Sequence, residues 1–390
     1  RQGNDAGHRA FIAPSMRGSL TTGLLLLSVA AFAQGPVSLS LKQAMDLAAQ
    51  QNYNVQYSAL EADKAAAKIK EILATGLPQV SATGGLNNYL IVPTQGIPNF
   101  FGDEPKTIEV QFGIPWSMSG AVQLNQLLFD GSYLVGLKAS RELKGQAQQA
   151  LEKAKADARA QAAKAYLSVL AAEEGVRLIG DGLPLLQKSA DDAKAMLDQG
   201  FMESTDVDRL TIQLAESKDQ ERSLQQQANV ALAFLALVTG LPTATPITLT
   251  DSLPPLLEDP AEKSLAEQPF AVAQHIEDRQ ANSLVRISDL LVRQQKAAYL
   301  PQLNGFINYQ QQFSYTKFEP GNGSYWFPAS MWGISLNVPI FSSGMRGKRV
   351  EQAEVGMKEA QVNLKATEQR LLTDHLQQQA VLTSAQSSYE

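Results

Sequence analysis

The sequence predicts a mostly α-helical chain with long β-strands, built from antiparallel coiled-coil hairpins and an internal duplication. Three observations carry that expectation. Long alanine-rich stretches repeat their apolar residues at three- and four-residue spacing, the mark of a helix stripe. Between them lie segments in which apolar and polar residues alternate, the mark of a strand with two unlike faces. The same order of patterns then recurs after about 210–220 residues.

Composition removes several function classes. Only 18% of the residues are charged and the net charge is −6 with no basic run, which excludes a nucleic-acid footprint. Cysteine is absent, so there are no disulfides, thiolate metal sites, cysteine nucleophiles or N-terminal lipid-bearing Cys. The three histidines (His8, His275, His375) lie far apart, and no GxSxG, GxxxxGK[ST] or GxGxxG occurs. The reading is therefore not an enzyme, with no catalytic, cofactor-binding or metal-ligating residues.

The N-terminal region addresses the chain to a membrane or beyond it. Met16-Arg17 followed by the apolar run Leu20 to Ala33 and an Ala31-Phe32-Ala33 cleavage site is a secretory signal over 16–33. Its apolar core is too short to cross a bilayer as a helix, which needs about 20 residues. Residues 1–15 read as sequence upstream of the true start. No other stretch approaches the length of a transmembrane helix, so any membrane the chain crosses must be crossed by strands.

The first repeat spans 39–239. Ser40-Leu41-Lys42-Gln43 is a capping box that opens a helix through Leu41, Ala44, Leu47 and Ala48, ending at Gly76-Leu77-Pro78. The period then changes to two, giving strands over 79–92 and 107–127. From Ile108 to Leu124 the even positions are almost all apolar and the odd ones mostly polar, and Pro115 marks a bulge or kink. After Phe129-Asp130-Gly131 the helical stripe Leu143, Ala147, Ala150, Ala154, Ala158, Ala162, Ala165, Val169 and Ala172 begins. A helix over 133–199 is roughly 100 Å long and has to pack sideways in a coiled coil. Gly180 to Pro184 should kink it. A turn over 200–204 leads to a second helix whose start, Thr205 with Asp208, resembles a capping box; Gly240-Leu241-Pro242 ends it. Residues 240–269, rich in Pro, Thr and Asp, form a linker.

The second repeat occupies 270–390, with strands over 302–315 and 326–341. Leu77-Pro78-Gln79-Val80 recurs as Leu300-Pro301-Gln302-Leu303, and Leu124-Asn125 with Phe129 recurs as Leu336-Asn337 with Phe341. By the first repeat's measure the chain stops before a second turn and return helix, as a C-terminally truncated fragment would. All three tryptophans, Trp116, Trp326 and Trp332, fall in strands, as do Tyr89, Tyr309, Tyr315, Tyr325 and Phe327. An apolar face with interfacial aromatics and a polar face is how strands sit in an outer membrane, although a secreted β-sandwich also alternates. Four strands cannot close a barrel, so eight, twelve or sixteen strands from several copies are the smallest closed options. A periplasmic or secreted coiled-coil adaptor without a pore is the alternative, and it leaves the duplicated amphipathic strands without a role.

In these features the chain resembles the TolC-like outer-membrane efflux channels over 39–390. The resemblance is carried by Leu41-x-x-Ala44-x-x-Leu47-Ala48, the duplicated Leu-Pro-Gln strand starts, the Phe-Asp-Gly and Phe-Ser-Ser-Gly strand exits, and the Gly200 turn followed by Thr205-Asp206-Val207. It implies a homotrimer whose twelve strands form one β-barrel in outer-membrane lipid of a Gram-negative bacterium, continued into the periplasm by an α-helical barrel. It implies a passive exit duct of a tripartite efflux or type I secretion system, docked to a periplasmic membrane-fusion adaptor and an inner-membrane RND or ABC-type pump. Residues 200–206 would then be the periplasmic tip, with Thr205, Asp206 and Asp208 at the entrance and Gln199, Gly200 and Phe201 facing the adaptor. Tyr89, Trp116, Tyr315, Trp326 and Trp332 would be membrane-interface aromatics. A ring of Asp206 carboxylates would favour cations; a helix-start carboxylate with no gating role is the plain alternative.

Overall fold

The computed structural model describes residues 37–98, 107–257 and 269–389. The expected signal over 16–33 and the segment 1–15 lie outside the described residues.

The capping box at Ser40 forms as the sequence requires: its hydroxyl accepts from Gln43 N, and the Gln43 side chain accepts from Ser40 N. The helix it opens is not continuous to Gly76, however. It is two helices, α1 (Leu41–Gln51) and α2 (Tyr53–Thr75), separated by Asn52 with ψ of 136°. Asn52 caps α2 through its side-chain oxygen, while its buried amide donates to Val238 O at 2.8 Å. That tertiary bond, invisible to periodicity, fixes the break.

The helices α3 (Gly131–Asp198) and α4 (Ser204–Thr239) form the long coiled-coil hairpin. Asp130 caps α3, accepting from Ser132 N and Tyr133 N. Through Gly180–Pro184, where a kink is expected, α3 stays one continuous helix. Pro184 forfeits one backbone hydrogen bond, but α4 braces the helix on both sides of it. Glu221 lies against Gly180, and Lys218 Nζ donates to Gln187 Oε1 at 2.9 Å. The start of α4 also differs from expectation. Glu203 is its N-cap, with no side-chain cap bond, in place of a capping box at Thr205 and Asp208. In the second half, α6 (Ile276–Ala297) packs on α3, and α7 (Met345–Tyr389) packs on α6.

Four strands make one antiparallel sheet in the order β2 (Gln79–Asn88), β5 (Trp116–Phe129), β7 (Gln302–Tyr315), β8 (Trp326–Asn337). The expected strand over 107–127 is in fact two. Its first part, β4 (Thr107–Gln111), pairs with β3 (Thr94–Pro98) in a separate hairpin. Gly113, at φ of 138°, and Pro115, which has no N–H to give to a ladder, separate the two parts. The expected strands 79–92 and 326–341 end earlier, at Asn88 and Asn337, the latter two residues before Pro339. The four helices that adjoin this sheet, α2, α3, α6 and α7, meet it at the same end, and the two strand-to-strand connections lie at the other.

The expected linker 240–269 contains structure. A short strand β6 (Ile247–Leu249) pairs in parallel with β1 (Val37–Leu39), followed by α5 (Leu253–Leu257). This pair belongs to the main core, in which Leu39, Ala44, Tyr166, Val169, Leu235 and Ile247 are buried together. Of the α3 stripe, Ala165 and Val169 belong to this core, and Ala158 and Ala162 are buried in a second cluster with Ala48, Val55 and Val238; Leu143 and Ala150 are exposed.

Candidate functional site

Cross-strand register sorts the sheet into two faces. Trp116 lies opposite Tyr315, Met118 opposite Phe313, Val122 opposite Tyr309 and Leu124 opposite Ile307. Phe313 continues to Trp326, Ile307 to Trp332 and Leu303 to Leu336, so one face is apolar across the sheet. The other face carries Ser81, Thr83, Ser119, Asn125, Asn308 and Gln310. Because side chains alternate, the sequence pattern and the pairing register together decide which residues share a face.

The aromatics group at the loop end of the sheet. Trp116 packs on Phe318 with ring centroids 4.8 Å apart, and Tyr315 stacks on Tyr325 at 3.7 Å. Trp326 lies against Phe313, and its indole N–H donates to Pro320 O at 2.9 Å. Tyr89 follows β2 at the same end, its backbone N–H bonded to Pro115 O. Trp332 sits elsewhere, at mid-strand and 77% exposed. An amphipathic ring with one bonded polar atom suits a water–lipid boundary, and a belt of them marks the level of the boundary.

The opposite extreme of the molecule is the α3–α4 turn. Gln199 is the C-cap of α3; Gly200 takes the left-handed conformation at φ of 79°. Gly200 N donates to Leu197 O and Phe201 N to Met196 O, each at 2.9 Å, closing a Schellman turn. Phe201 is left 81% exposed. Asp206 lies in the first turn of α4, 3.7 Å from Arg209 in an exposed pair. Thr205 Oγ1 donates to Glu203 Oε2 at 3.4 Å, and Asp208 is exposed. Gln199 to Asp208 thus form one tip, exposed except at Met202 and the buried Val207.

Two polar clusters escaped the sequence reading. At the core, Tyr166 is fully buried, with its hydroxyl 3.0 Å from both Leu39 O and Asp251 Oδ2; Asp251 also accepts from Leu41 N at 2.7 Å. Burial pushes the Tyr166 phenol above its ordinary value. Between α3, α6 and α7, Glu277 binds Lys153 at 3.2 Å and also pairs with Arg370. The Arg370 guanidinium first, then Lys153, holds the Glu277 carboxyl below its usual range. The partners lie 85 or more residues apart in sequence, so no local spacing announces either cluster.

Coiled-coil hairpins at one end of an amphipathic sheet, with an aromatic rim at the other, define a membrane-anchored protein with a long helical extension. A model of the outer membrane efflux protein family matches residues 44–241, and the chain belongs to that family. It is an outer-membrane efflux channel protein, an exit duct whose helices extend into the periplasm. Solved structures with similar folds include CusC, with a TM-score of 0.65 at 15% identity, covering 89% of this chain and 76% of that one. The outer membrane protein VceC of Vibrio cholerae has a TM-score of 0.64 at 14% identity, covering 89% and 79%. The open state of the Neisseria gonorrhoeae MtrE outer membrane channel has 0.63 at 16% identity, covering 90% and 74%. No curated protein matches the sequence.

Proposed function

We propose that three copies of this chain close one duct that passively conducts small molecules or exported substrates across the outer membrane. The observation that carries this is the sheet: four strands, one apolar face, and edges at β2 and β8 with no partner among the described residues. Unpaired N–H and C=O groups in hydrocarbon cost several kcal/mol each. Pairing β8 of one copy with β2 of the next removes every edge, and twelve strands satisfy the even count of such barrels.

On this reading residues 39–239 and 270–390 are two copies of one helix–strand–strand–helix module joined through 240–269. Leu77-Pro78-Gln79 and Leu300-Pro301-Gln302 each turn a helix into a strand, which supports the division. The helices of three copies line an α-barrel, with Thr205, Asp206 and Asp208 at its periplasmic mouth. Gln199, Gly200 and Phe201 offer an exposed apolar tip to a periplasmic adaptor, and an inner-membrane pump of the RND or ABC type supplies the energy. Tyr89, Trp116, Tyr315 and Trp326 lie at the outer lipid boundary, with Trp332 facing lipid within the band.

Chemical crosslinking of the detergent-extracted protein should give a trimer that forms channels in planar bilayers. A monomer that conducts ions refutes the proposal.

A further inference from the structure

The four-stranded sheet carries no ionisable charge. Neither Asp, Glu, Lys, Arg nor His occurs in β2, β5, β7 or β8. Charges resume only at its ends, with Asp130 and Arg346 on the helix side and Glu109, Lys317 and Glu319 on the loop side. The face opposite the apolar one is a field of amides and hydroxyls. Large apolar side chains interrupt it at Leu127, Phe306, Phe327 and Met331, the last two 56% and 61% exposed.

Pore walls select ions with rings of charged side chains, and threefold assembly turns each single charge into such a ring. This wall has none to repeat. Asn and Gln offer both donors and acceptors, so they solvate solutes of either sign, and the apolar side chains offer contact to the hydrophobic part of an organic solute. Charges on the distant helical tip do not reach the wall, because salt screens exposed charges over about 8 Å at physiological ionic strength.

We propose that the sheet section of the duct passes organic solutes irrespective of the sign of their charge, leaving ionic selection to the helical section. This rests on the trimeric-duct reading above.

The absence of native cysteine makes single-cysteine variants clean probes. Ser119→Cys and Gln310→Cys place a thiol on the amide face; Val122→Cys and Tyr309→Cys place one on the apolar face. The membrane-inserted protein is treated with cationic and anionic methanethiosulfonate reagents of similar size, and rates are normalised to a free small thiol. Both amide-face thiols should react, with a normalised cation-to-anion rate ratio within about threefold of one, as a wall with no fixed charge requires. Gln312→Lys, which lies opposite Ser119 in the register, should shift the Ser119→Cys ratio severalfold toward the anionic reagent. A wild-type-background ratio outside the threefold range overturns the inference while leaving the duct intact. Reaction at the apolar face with none at the amide face overturns the duct's orientation instead. Failure of all four thiols to react removes the wetted wall and refutes both.

Discussion

Replacing Tyr166 by Phe removes a single oxygen at the point where β1, α1, α3 and the segment after β6 meet. That hydroxyl lies 3.0 Å from Leu39 O and from Asp251 Oδ2, and it accepts from Asp251 N at 3.3 Å. One O–H donates one proton, so the substitution removes one donated bond and the acceptor of the Asp251 N–H, while Leu39 O keeps its bond from Thr250 N. Hydrogen bonds to charged groups contribute about 1.5–3 kcal/mol and neutral ones about 1 kcal/mol. Leu41 N remains bonded to Asp251 at 2.7 Å and water reaches the half-buried carboxylate, so a local cost near 2 kcal/mol is expected. At roughly 1.4 kcal/mol per factor of ten, amide exchange in 37–41 and 247–251 should speed about 30-fold. Hydrogen exchange with mass spectrometry on the detergent-extracted protein reads both segments directly. Asp251→Ala removes the acceptor for both Tyr166 and Leu41 and should be at least as damaging. The raised phenol pKa adds a sign. Whatever stability its titration contributes is fully present below the ordinary value of 10.0 and is lost only as pH rises through the folded value. Exchange in Tyr166→Phe within twofold of wild type would show that the Tyr166 hydroxyl does not hold β1 and β6, leaving their ladder and the apolar packing to do so.

Three further outcomes are expected. Glu277→Gln should cost no more than about 1 kcal/mol in thermal unfolding, since Arg370 is 54% exposed. Because the folded Glu277 pKa lies below its ordinary 4.5, that contribution is present above pH 4.5 and fades as pH falls through the folded value. The gap between wild type and variant should therefore close in acid, and a gap that widens there contradicts the ion-pair account. Gly240→Ala should destabilise by roughly 2–3 kcal/mol. Gly240 is left-handed at φ of 77°, and a Cβ there runs into the Gln51 backbone; a neutral effect on melting temperature refutes the clash. Asp206→Ala should weaken cation selectivity in bilayer recordings while costing under about 1 kcal/mol, since its Arg209 pair is exposed. Unchanged selectivity leaves Asp206 an ordinary helix-start carboxylate.

Much of the candidate site was legible because it depends on period. Alternation marked the strands around Trp116, Gln302 and Trp326, and the Gly200 turn stood out because a glycine follows a long helical stripe. The failures have one cause. Asn52 breaks a helix whose stripe continues through it, because its amide reaches Val238 O, 186 positions away in sequence. The helix α3 runs unbroken through Pro184, where Glu221 and Lys218 of α4 lie against its flanks. In each case a partner remote in sequence outweighed a local preference.

By itself the sequence determined what local chemistry can determine. Helical stripes and strand alternation follow from side-chain direction along a single element, and the charge-free strands are a matter of composition. Only the tertiary structure decided which strands are neighbours, and so that the Trp116, Tyr315 and Trp326 aromatics share one rim. It also showed that 107–111 pairs with β3 in a hairpin and does not join the sheet, on the far side of Gly113 and Pro115 from β5. It also joined β1 to β6, Tyr166 to Asp251 and Glu277 to Arg370. Such contacts span stretches of chain over which no periodic signal persists, so they emerge only when the helices and strands have packed.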